Sequence, residues 1–164
     1  GFVGSWEVKE RAGIFSRPIA EYHTVAALPK NHPLARRSSV RLKDLEHMFF
    51  IGLSEQSRPG YRVWLTETCE KAGYKPKVLQ EVHLERPVLD AVAGGLGVAL
   101  LPEPVKKIPH PEVVFRPVNP AVVTPFWVAW RDDNQSLALK GYVDVVGQFD
   151  QRLRSPARRR RRAA

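Results

Sequence analysis

The stretch "LDAVAGGLGVALLP", from Leu89 to Pro102, places three glycines in four residues between two apolar segments. Upstream, four apolar side chains have the i, i+4, i+7, i+8 spacing of one face of an amphipathic helix: Leu84, Val88, Ala91 and Val92. Downstream, "VALLP" has the length and composition of a short buried strand that ends at a proline. The stretch therefore predicts a helix that stops at the glycines and is followed by a strand.

The order of these two elements bears on whether the glycines hold a phosphate group. A phosphate-binding glycine loop follows a strand and opens a helix, so that the N–H groups of the helix face the anion. Here the predicted helix begins near Leu84 and the glycines lie at its other end. The order favours a tight helix-to-strand joint, where glycine permits a close approach of two backbones, over a nucleotide site.

Strands and helices alternate on both sides of this joint, between residues 49 and 101. "FFIGL" (49–53) is a continuous apolar strand, "KVLQEV" (77–82) is a second strand, and a helix that ends at Gly73 separates them. This alternation predicts a mainly parallel sheet with helices on both faces. Other predicted elements are strands at 1–8, 21–29, 113–118 and 126–131, a helical turn at 40–48 and an amphipathic helix at 136–149.

The formal net charge of +9 belongs mostly to the last 14 residues, because residues 151–164 contain seven arginines and no acidic residue. Residues 1–150 hold the other 19 basic residues and all 17 acidic ones, a balance of +2. A low-complexity tail of this kind is predicted to be disordered. It offers non-specific contact to nucleic acid or acidic lipid, and a solvated tail without a role is the alternative. The contact would run through a cluster of five arginines: Arg158, Arg159, Arg160, Arg161 and Arg162.

Cysteine usage and hydropathy indicate a cytoplasmic protein. The single cysteine, Cys69, allows no intrachain disulfide, which fits a reducing compartment, and it lies on the apolar face of a predicted helix. No apolar run approaches the roughly 20 residues that span a membrane, and no secretion signal opens the chain. The chain begins at Gly1 in what reads as the middle of a buried strand, so we expect a fragment.

The sequence assembles no recognisable catalytic or metal-binding group, so we expect neither an enzyme nor a cofactor or metal site. Glu81 and Glu85 flank His83, a candidate acid–base residue, but this spacing is more typical of solvated side chains. Ser54 and Ser57 lack the G-x-S-x-G pattern of a nucleophilic serine. The five histidines are dispersed without the spacing of metal ligands.

Several segments in unbroken order resemble the effector domain of LysR-type transcriptional regulators. They include "VAALPKNHPLA", "VRLKDLEHMFFIGL", "AGYKPKVLQEVHLERPVLDAVAGGLGVALLPEPV" and "FWVAWRDDN". The pairing of "LPKNHPLA" with "VAGGLGVALLP" is the most specific part of a resemblance that covers residues 1–149. The resemblance implies an α/β fold similar to that of type 2 periplasmic binding proteins, with two lobes, each a Rossmann-like sheet with helices on both faces.

The resemblance also implies how this chain divides and what it binds. Residues 1–18 would be a remnant of the first lobe, 19–131 the second lobe, 132–150 a helix that returns to the first lobe, and 151–164 the tail. The domain would therefore be incomplete, and DNA would be bound only through an N-terminal domain outside this chain. Family members bind a small effector between the lobes and work as homodimers or homotetramers, and no membrane is involved.

The loop "SEQSRPGY" (54–61) is the predicted effector site, because ligands of open α/β sheets bind beyond the carboxyl ends of strands. N–H groups near Ser57, Gly60 and Tyr61 could hold a carboxylate with help from the helix dipole. The resemblance to the branch that senses aromatic-catabolism intermediates implies contacts from Pro59, Gly60 and Tyr61. Arg58 could add charge, and Ser54 or Ser57 a hydroxyl. The alternative is a loop that only caps the helix, with Tyr61 in the core.

Gly4 departs from that branch, in which an arginine can follow the first strand and bind a second carboxylate. Glycine offers no such charge, so a monocarboxylate or an uncharged ligand is favoured over a dicarboxylate. Three alternatives to a regulator remain at this point: a type 2 solute-binding protein of a transporter, a small enzyme of similar architecture, and a non-specific nucleic-acid-binding protein.

Overall fold

The computed structural model describes residues 2–3, 13–131, 133, 136, 139, 141–142 and 145. Within them, eight strands, two α-helices and three 3-10 helices have defined bounds. The strands are β1 (Phe2–Val3), β2 (Ile14–Pro29), β3 (Val40–Arg41), β4 (Phe49–Leu53), β5 (Lys77–Val82), β6 (Ala99–Pro102), β7 (Val113–Asn119) and β8 (Val123–Arg131). The α-helices are α1 (Tyr61–Glu70) and α2 (Glu85–Ala93), and the 3-10 helices are Pro33–Arg36, Leu42–Leu45 and Glu103–Lys107.

The chain divides into two compact units. One is Tyr22–Thr124, which contains both α-helices and most strands, and the other combines Gly1–Glu21 with Pro125–Ala164. The first unit lies within the segment 19–131 that the resemblance assigns to the second lobe. In the other unit, Phe2 and Val3 of β1 pair antiparallel with Val128 and Trp127 of β8.

Strands β4 and β5 pair in parallel, with Phe49 opposite Lys77 and Leu53 opposite Val82. On its other side β4 meets the residue before β6: the Ile51 N–H donates to the Val98 carbonyl at 2.8 Å, and the Val98 N–H donates to the Phe49 carbonyl at 2.9 Å. The alternating segment thus forms parallel strands, as the sequence predicts.

The larger sheet corrects the prediction of mainly parallel strands. Its order is β1-β8-β2-β7-β3, with β6 also paired to β2. Both β6 and β7 run antiparallel to β2, and only the short strand β3 runs parallel to its neighbour β7. The prediction rested on the strand–helix alternation of 49–101, and β2 and β7 lie outside that segment, where no helical crossover imposes parallel pairing.

The glycine joint between α2 and β6 is confirmed. Gly94 ends the helix, and Gly95 has a φ of +77°, in the left-handed region that favours glycine. A Cβ added to Gly97 would lie 2.5 Å from the carbonyl oxygen of Phe49 and 3.0 Å from its carbonyl carbon. The missing side chain lets the backbone entering β6 lie against β4.

Helix α1 begins two residues later than the sequence suggests, because the sequence favours Pro59 and Gly60 as its first turn and the helix begins at Tyr61. Gly60 has a φ of +78°, which no right-handed helix contains. Trp64, Leu65 and Cys69 form its buried face, as predicted. Burial raises the pKa of the Cys69 thiol, which agrees with its assignment as a core residue.

The core of the Tyr22–Thr124 unit is built where the apolar patterns predict it. In β2, residues Val25 to Leu28 are at most 1% exposed, and on α2 the side chains of Val88, Leu89 and Val92 are fully buried. The helical turn predicted at 40–48 becomes β3 and the 3-10 helix Leu42–Leu45, with both of its leucines buried.

Strand β2 begins at Ile14 rather than at the predicted residue 21. Of the helix predicted at 136–149, the described residues Leu139, Gly141, Tyr142 and Val145 are α-helical. Gly4 and the tail 151–164 lie outside the described residues. Within the described part of the chain, no helix is both long and apolar enough to span a membrane.

Candidate functional site

The predicted effector loop lies at the carboxyl ends of two neighbouring parallel strands. Ser54 follows β4 and His83 follows β5, and the Ser54 N–H donates to the Val82 carbonyl at 3.0 Å, which extends the ladder by one bond. Carboxyl ends of parallel strands are where open α/β sheets place their ligand-binding loops. The two strands therefore bring residues 29 positions apart to one edge of the sheet.

Three polar side chains meet at this edge and form the Ser54–Ser57–His83 cluster. The Ser54 hydroxyl lies 2.8 Å from Nδ1 of His83 and 3.1 Å from the hydroxyl of Ser57. The Ser57 hydroxyl also donates to the Ser54 carbonyl at 3.2 Å. Hydroxyl groups and a neutral imidazole both donate and accept hydrogen bonds, so the cluster can present either function to a molecule in solvent.

The amino end of α1 already binds a carboxylate, that of Glu55. The Gly60 N–H donates to its Oε2 at 2.8 Å, and the Arg62 N–H donates to its Oε1 at 3.0 Å. Unsatisfied N–H groups and the helix dipole favour a negative charge at this position. The Tyr61 N–H is used as well, since it donates to the Arg58 carbonyl at 3.1 Å.

The two guanidinium groups beside the loop are paired with carboxylates. Arg58 forms an ion pair with Glu85, and Nη1 of Arg62 lies 3.1 Å from Oε1 of Glu81. With Glu55, the three carboxylates exceed the two guanidinium groups by one charge. The local field therefore disfavours anionic ligands, and a ligand with two negative charges more than a ligand with one.

Tyr61 lies in the core, the position given by the alternative in which the loop only caps the helix. Its side chain is buried, its hydroxyl donates to the Leu100 carbonyl at 3.0 Å, and its ring centroid lies 5.5 Å from that of Trp64. Burial also raises the pKa of the Tyr61 hydroxyl, which keeps it protonated as a donor. Ligand contact by Tyr61 stays a prediction.

Among the other predicted site residues, Ser54, Ser57 and Arg58 come together in the loop, and Pro59 is exposed beside them. Gly60 is buried at the start of α1, and Gly4 lies outside the described residues. The sequence analysis considered His83 only as an acid–base residue. His83 directly follows β5, which is parallel to β4, and this position indicates that it lies at the same edge of the sheet as the loop after β4. Glu55 was also missed, although an acidic residue shortly before a predicted helix is a recognised capping signal.

Comparison with known proteins defines the class of this chain. Residues 1–150 match the LysR substrate binding domain family. The chain belongs to that family.

Particular relatives agree with this assignment. The chain is 30% identical over 122 residues to the HTH-type transcriptional regulator AlsR of Bacillus subtilis (strain 168), a match that covers 74% of this chain and 40% of AlsR. Among solved structures it resembles CbnR, a LysR family transcriptional regulator, with a TM-score of 0.78 at 20% identity, over 92% of this chain and 52% of CbnR. It also resembles the BenM effector binding domain with its effector benzoate, with a TM-score of 0.72 at 20% identity, over 88% of this chain and 64% of that one.

These likenesses confirm the predicted α/β fold of the periplasmic-binding-protein type. The relatives carry the names of transcriptional regulators, in agreement with the expectation that the chain is not an enzyme. The chain spans between 40% and 50% of the length of AlsR and of XapR, a regulator from Escherichia coli (strain K12).

Proposed function

We propose that this chain is the effector-sensing part of a LysR-type transcriptional regulator and that it binds a small metabolite at the Ser54–Ser57–His83 cluster. In the intact regulator, bound metabolite would shift an equilibrium between assemblies of two or four subunits that hold DNA through another domain. A ligand shifts such an equilibrium only by its difference in affinity for the two states. No chemical conversion of the ligand is part of the proposal, and a transporter's solute-binding protein is the disfavoured alternative.

The observation that carries the proposal is the meeting of two hydroxyl groups and an imidazole at the carboxyl ends of β4 and β5, where the Ser54 hydroxyl lies 2.8 Å from His83 Nδ1 and 3.1 Å from the Ser57 hydroxyl. The hydrogen bonds between the three groups lie on the exposed surface, so a ligand from solvent can reach the groups. The family to which the chain belongs carries a substrate-binding function in its name.

We further propose that the ligand is a small monocarboxylate. The hydroxyl and imidazole groups are suitable donors to a carboxylate, and the excess of one negative charge around the loop disfavours a dianion more than a monoanion. The structure of BenM with benzoate, an aromatic monocarboxylate, lends support to this ligand class and to the aromatic-sensing branch.

Titration of the 164-residue chain with benzoate, followed by NMR of backbone amides, tests the proposal. We expect shifts at residues 54–58 and 83, and a weaker affinity, by about fivefold or more, in Ser54→Ala and His83→Ala. One lost hydrogen bond to a charged group corresponds to a change of this size. His47→Ala is the matched control, because the side chain of His47 is 90% exposed and has no contact with the cluster.

Two results would contradict the proposal. In the first, benzoate, succinate and a panel of small neutral metabolites all leave the amides of 54–58 and 83 unchanged, which would remove the site. In the second, His47→Ala and His83→Ala weaken binding equally, which would show that the loss of any imidazole, rather than the cluster, lowers the affinity.

We propose a second, separate role for the arginine-rich tail, which is non-specific contact with nucleic acid. Its support is compositional: residues 151–164 carry seven positive charges and no negative one. Side chains of this kind bind phosphates without reading sequence, and the binding weakens steeply with salt.

A further inference from the structure

The hydrogen bonds of the Ser54–Ser57–His83 cluster determine where its polar hydrogens lie. The 3.2 Å bond between the Ser57 hydroxyl and the Ser54 carbonyl has only one possible donor and uses the single hydroxyl hydrogen of Ser57. The 3.1 Å bond between the two hydroxyl groups must then use the hydrogen of Ser54. The 2.8 Å bond between Ser54 Oγ and His83 Nδ1 therefore requires a hydrogen on Nδ1. No other arrangement gives each of these three bonds its own hydrogen.

This arrangement makes the neutral ring of His83 an acceptor toward solvent. A neutral imidazole carries one N–H group, so with the hydrogen on Nδ1 the other nitrogen, Nε2, holds a lone pair. His83 is exposed, and its Nε2 forms no hydrogen bond to a described residue. A carboxylate is also only an acceptor, so it cannot form a hydrogen bond with Nε2 while the ring is neutral. A serine hydroxyl can turn to a carboxylate only by giving up a bond within the cluster.

The basic side chains that flank the imidazole are already paired with carboxylates. Glu81, two residues before the histidine on β5, is paired with Arg62 of α1. Glu85, two residues after it at the start of α2, is paired with Arg58 of the loop. Neither guanidinium group is therefore available to a ligand without the loss of an ion pair.

The remaining charged groups near the imidazole leave the surroundings negative. Glu55 of the loop adds a third carboxylate, whereas Arg86 of α2 lies 3.3 Å from a carboxylate oxygen of Asp90. Around the cluster itself, three carboxylates face two guanidinium groups, which leaves one negative charge. A bound carboxylate would raise this excess to two. A proton on the imidazole would offset one of these charges, so the binding of an anion and the uptake of a proton favour each other.

We propose that His83 decides which ligands the cluster accepts, and that a carboxylate binds there together with a proton that Nε2 takes up from solvent. After proton uptake, the Nε2–H group donates to the carboxylate, and the Nδ1–H group keeps its bond to Ser54 Oγ. A neutral ligand that offers a hydrogen, such as an amide, binds to Nε2 without a proton. This inference rests on the function proposed for the cluster. Histidine is the side chain whose charge ordinarily changes between about pH 5 and 8, so the coupling falls in the physiological range.

Long-range ¹H–¹⁵N NMR of the histidine rings in the free 164-residue chain tests the placement of the hydrogen without any ligand. At about pH 8, where imidazole is mostly neutral, we expect the hydrogen of His83 on Nδ1. Saturation with benzoate should convert this ring to the form with a hydrogen on both nitrogens. A hydrogen on Nε2 in the free chain would overturn the proposal, whichever ligand binds.

Isothermal titration calorimetry with benzoate measures the coupling itself. If one proton accompanies each benzoate, the affinity should fall by up to about tenfold per pH unit once the free ring is neutral. Titrations in buffers of different ionisation enthalpy count the protons, and we expect the uptake to approach about one per benzoate near pH 8. Benzamide, which has the same ring and no charge, should bind at this pH without proton uptake.

His83→Gln separates the charge of the imidazole from its hydrogen bonds, because glutamine donates and accepts but does not ionise. At about pH 6 it should bind benzoate about fivefold or more weakly than the parent chain, and its affinity should depend little on pH. His47→Gln is the matched control, because the side chain of His47 is 90% exposed and has no contact with the cluster. It should keep the pH dependence of the parent.

The outcomes keep this inference apart from the proposed function. Benzoate that shifts the amides of 54–58 and 83 but binds equally well at about pH 6 and 8, without proton uptake, would overturn the role of His83 and leave the site standing. A pH dependence that survives His83→Gln would overturn it as well. If neither benzoate nor benzamide shifts these amides, the site itself is wrong, and the inference falls with it.

Discussion

Gly97 is the glycine at which an added Cβ would meet the backbone of a neighbouring strand. It lies between α2 and β6, where the backbone passes close enough to Phe49 that a Cβ would meet a carbonyl oxygen at 2.5 Å. The obstacle is backbone of the central strand β4, which cannot rotate away as a side chain can. Every hydrogen bond between β4 and the residues entering β6 depends on this approach.

Gly97→Ala is therefore expected to destabilise the protein by about 1–3 kcal/mol, the usual cost of overpacking. Gly94→Ala is the matched control, because its added Cβ would have ordinary contacts at 3.5 Å and its φ is −71°. We expect that change to stay within about 1 kcal/mol of the parent. Urea unfolding of both variants measures the difference, and equal stabilities would refute the close approach.

Asp44 is expected to make the stability of the fold depend on pH. Its carboxylate lies 2.7 Å from Nη2 of Arg41 and 2.8 Å from Nη1 of Arg37. The hydrogen bonds from Arg41 and the charges of both guanidinium groups hold the pKa of Asp44 below its usual value of 3.8. A lowered pKa means that the carboxylate stabilises the fold above pH 3.8, and that this contribution is lost as the pH falls through the lowered value.

Asp44→Asn should accordingly cost up to about 1 kcal/mol at pH 7, in the range of exposed ion pairs. The difference from the parent protein should shrink as the pH is lowered below 3.8. Glu67→Gln is the control, because Glu67 is exposed and forms no ion pair with a described residue. A constant difference for Asp44→Asn across this pH range would contradict the assignment.

At the scale of elements, α1 is held in place by tyrosine hydroxyl groups near both of its ends. Tyr61 at its start donates to the Leu100 carbonyl of β6. Tyr74, just after its end, donates at 2.9 Å to the Leu42 carbonyl of a 3-10 helix. Both bonds are buried, so the position of the helix is fixed at both ends, with the effector loop at its amino end.

Tyr61→Phe distinguishes a core role of this residue from a ligand-binding role. We expect a loss of about 1–2 kcal/mol in stability, because the buried Leu100 carbonyl loses a donor, and an unchanged affinity for benzoate. Tyr74→Phe removes the equivalent bond at the far end and should cost about as much. Differential scanning calorimetry measures the loss of stability in both variants, and the benzoate titration measures the affinity. A weaker affinity confined to Tyr61→Phe would show that the Tyr61 hydroxyl contacts the ligand.

The elements that the sequence predicted best are those with strong local signals. Strands β4 and β5 have the predicted bounds because each is a short run limited by polar residues or turns. The mainly parallel sheet predicted from residues 49–101 holds for β4 and β5 but not for β6 and β7, which pair antiparallel with β2, since pairing between segments 70 or more residues apart leaves no local trace. For the same reason, Ser54 and Ser57 were predicted at the site from their loop, whereas their bond with His83 required the pairing of β4 with β5.

At the scale of the whole molecule, charge is distributed unevenly along the chain. Residues 1–150 carry a balance of +2, and the remaining seven positive charges lie in residues 151–164. The proposed contact of the tail with nucleic acid and the proposed metabolite site in the Tyr22–Thr124 unit therefore lie in different parts of the sequence.

Deletion of residues 151–164 is expected to abolish retention on a DNA column at low salt and to leave the benzoate titration unchanged. In the full chain, retention should fall steeply with salt, as for any contact through several phosphates. Replacement of Arg158 to Arg162 by serine is the control that keeps the length of the tail. Retention that survives both changes would place the DNA contact elsewhere.

Glu55 gives the molecule a built-in competitor for any external carboxylate. It lies five residues before Gly60, whose N–H group it occupies, so it is present at a local concentration on the order of millimolar. A carboxylate that binds the same two N–H groups must displace that side chain, so its apparent affinity is lower than its affinity for the free groups. The concentration at which such an acid binds is therefore set in part by how firmly the protein's own side chain stays in place.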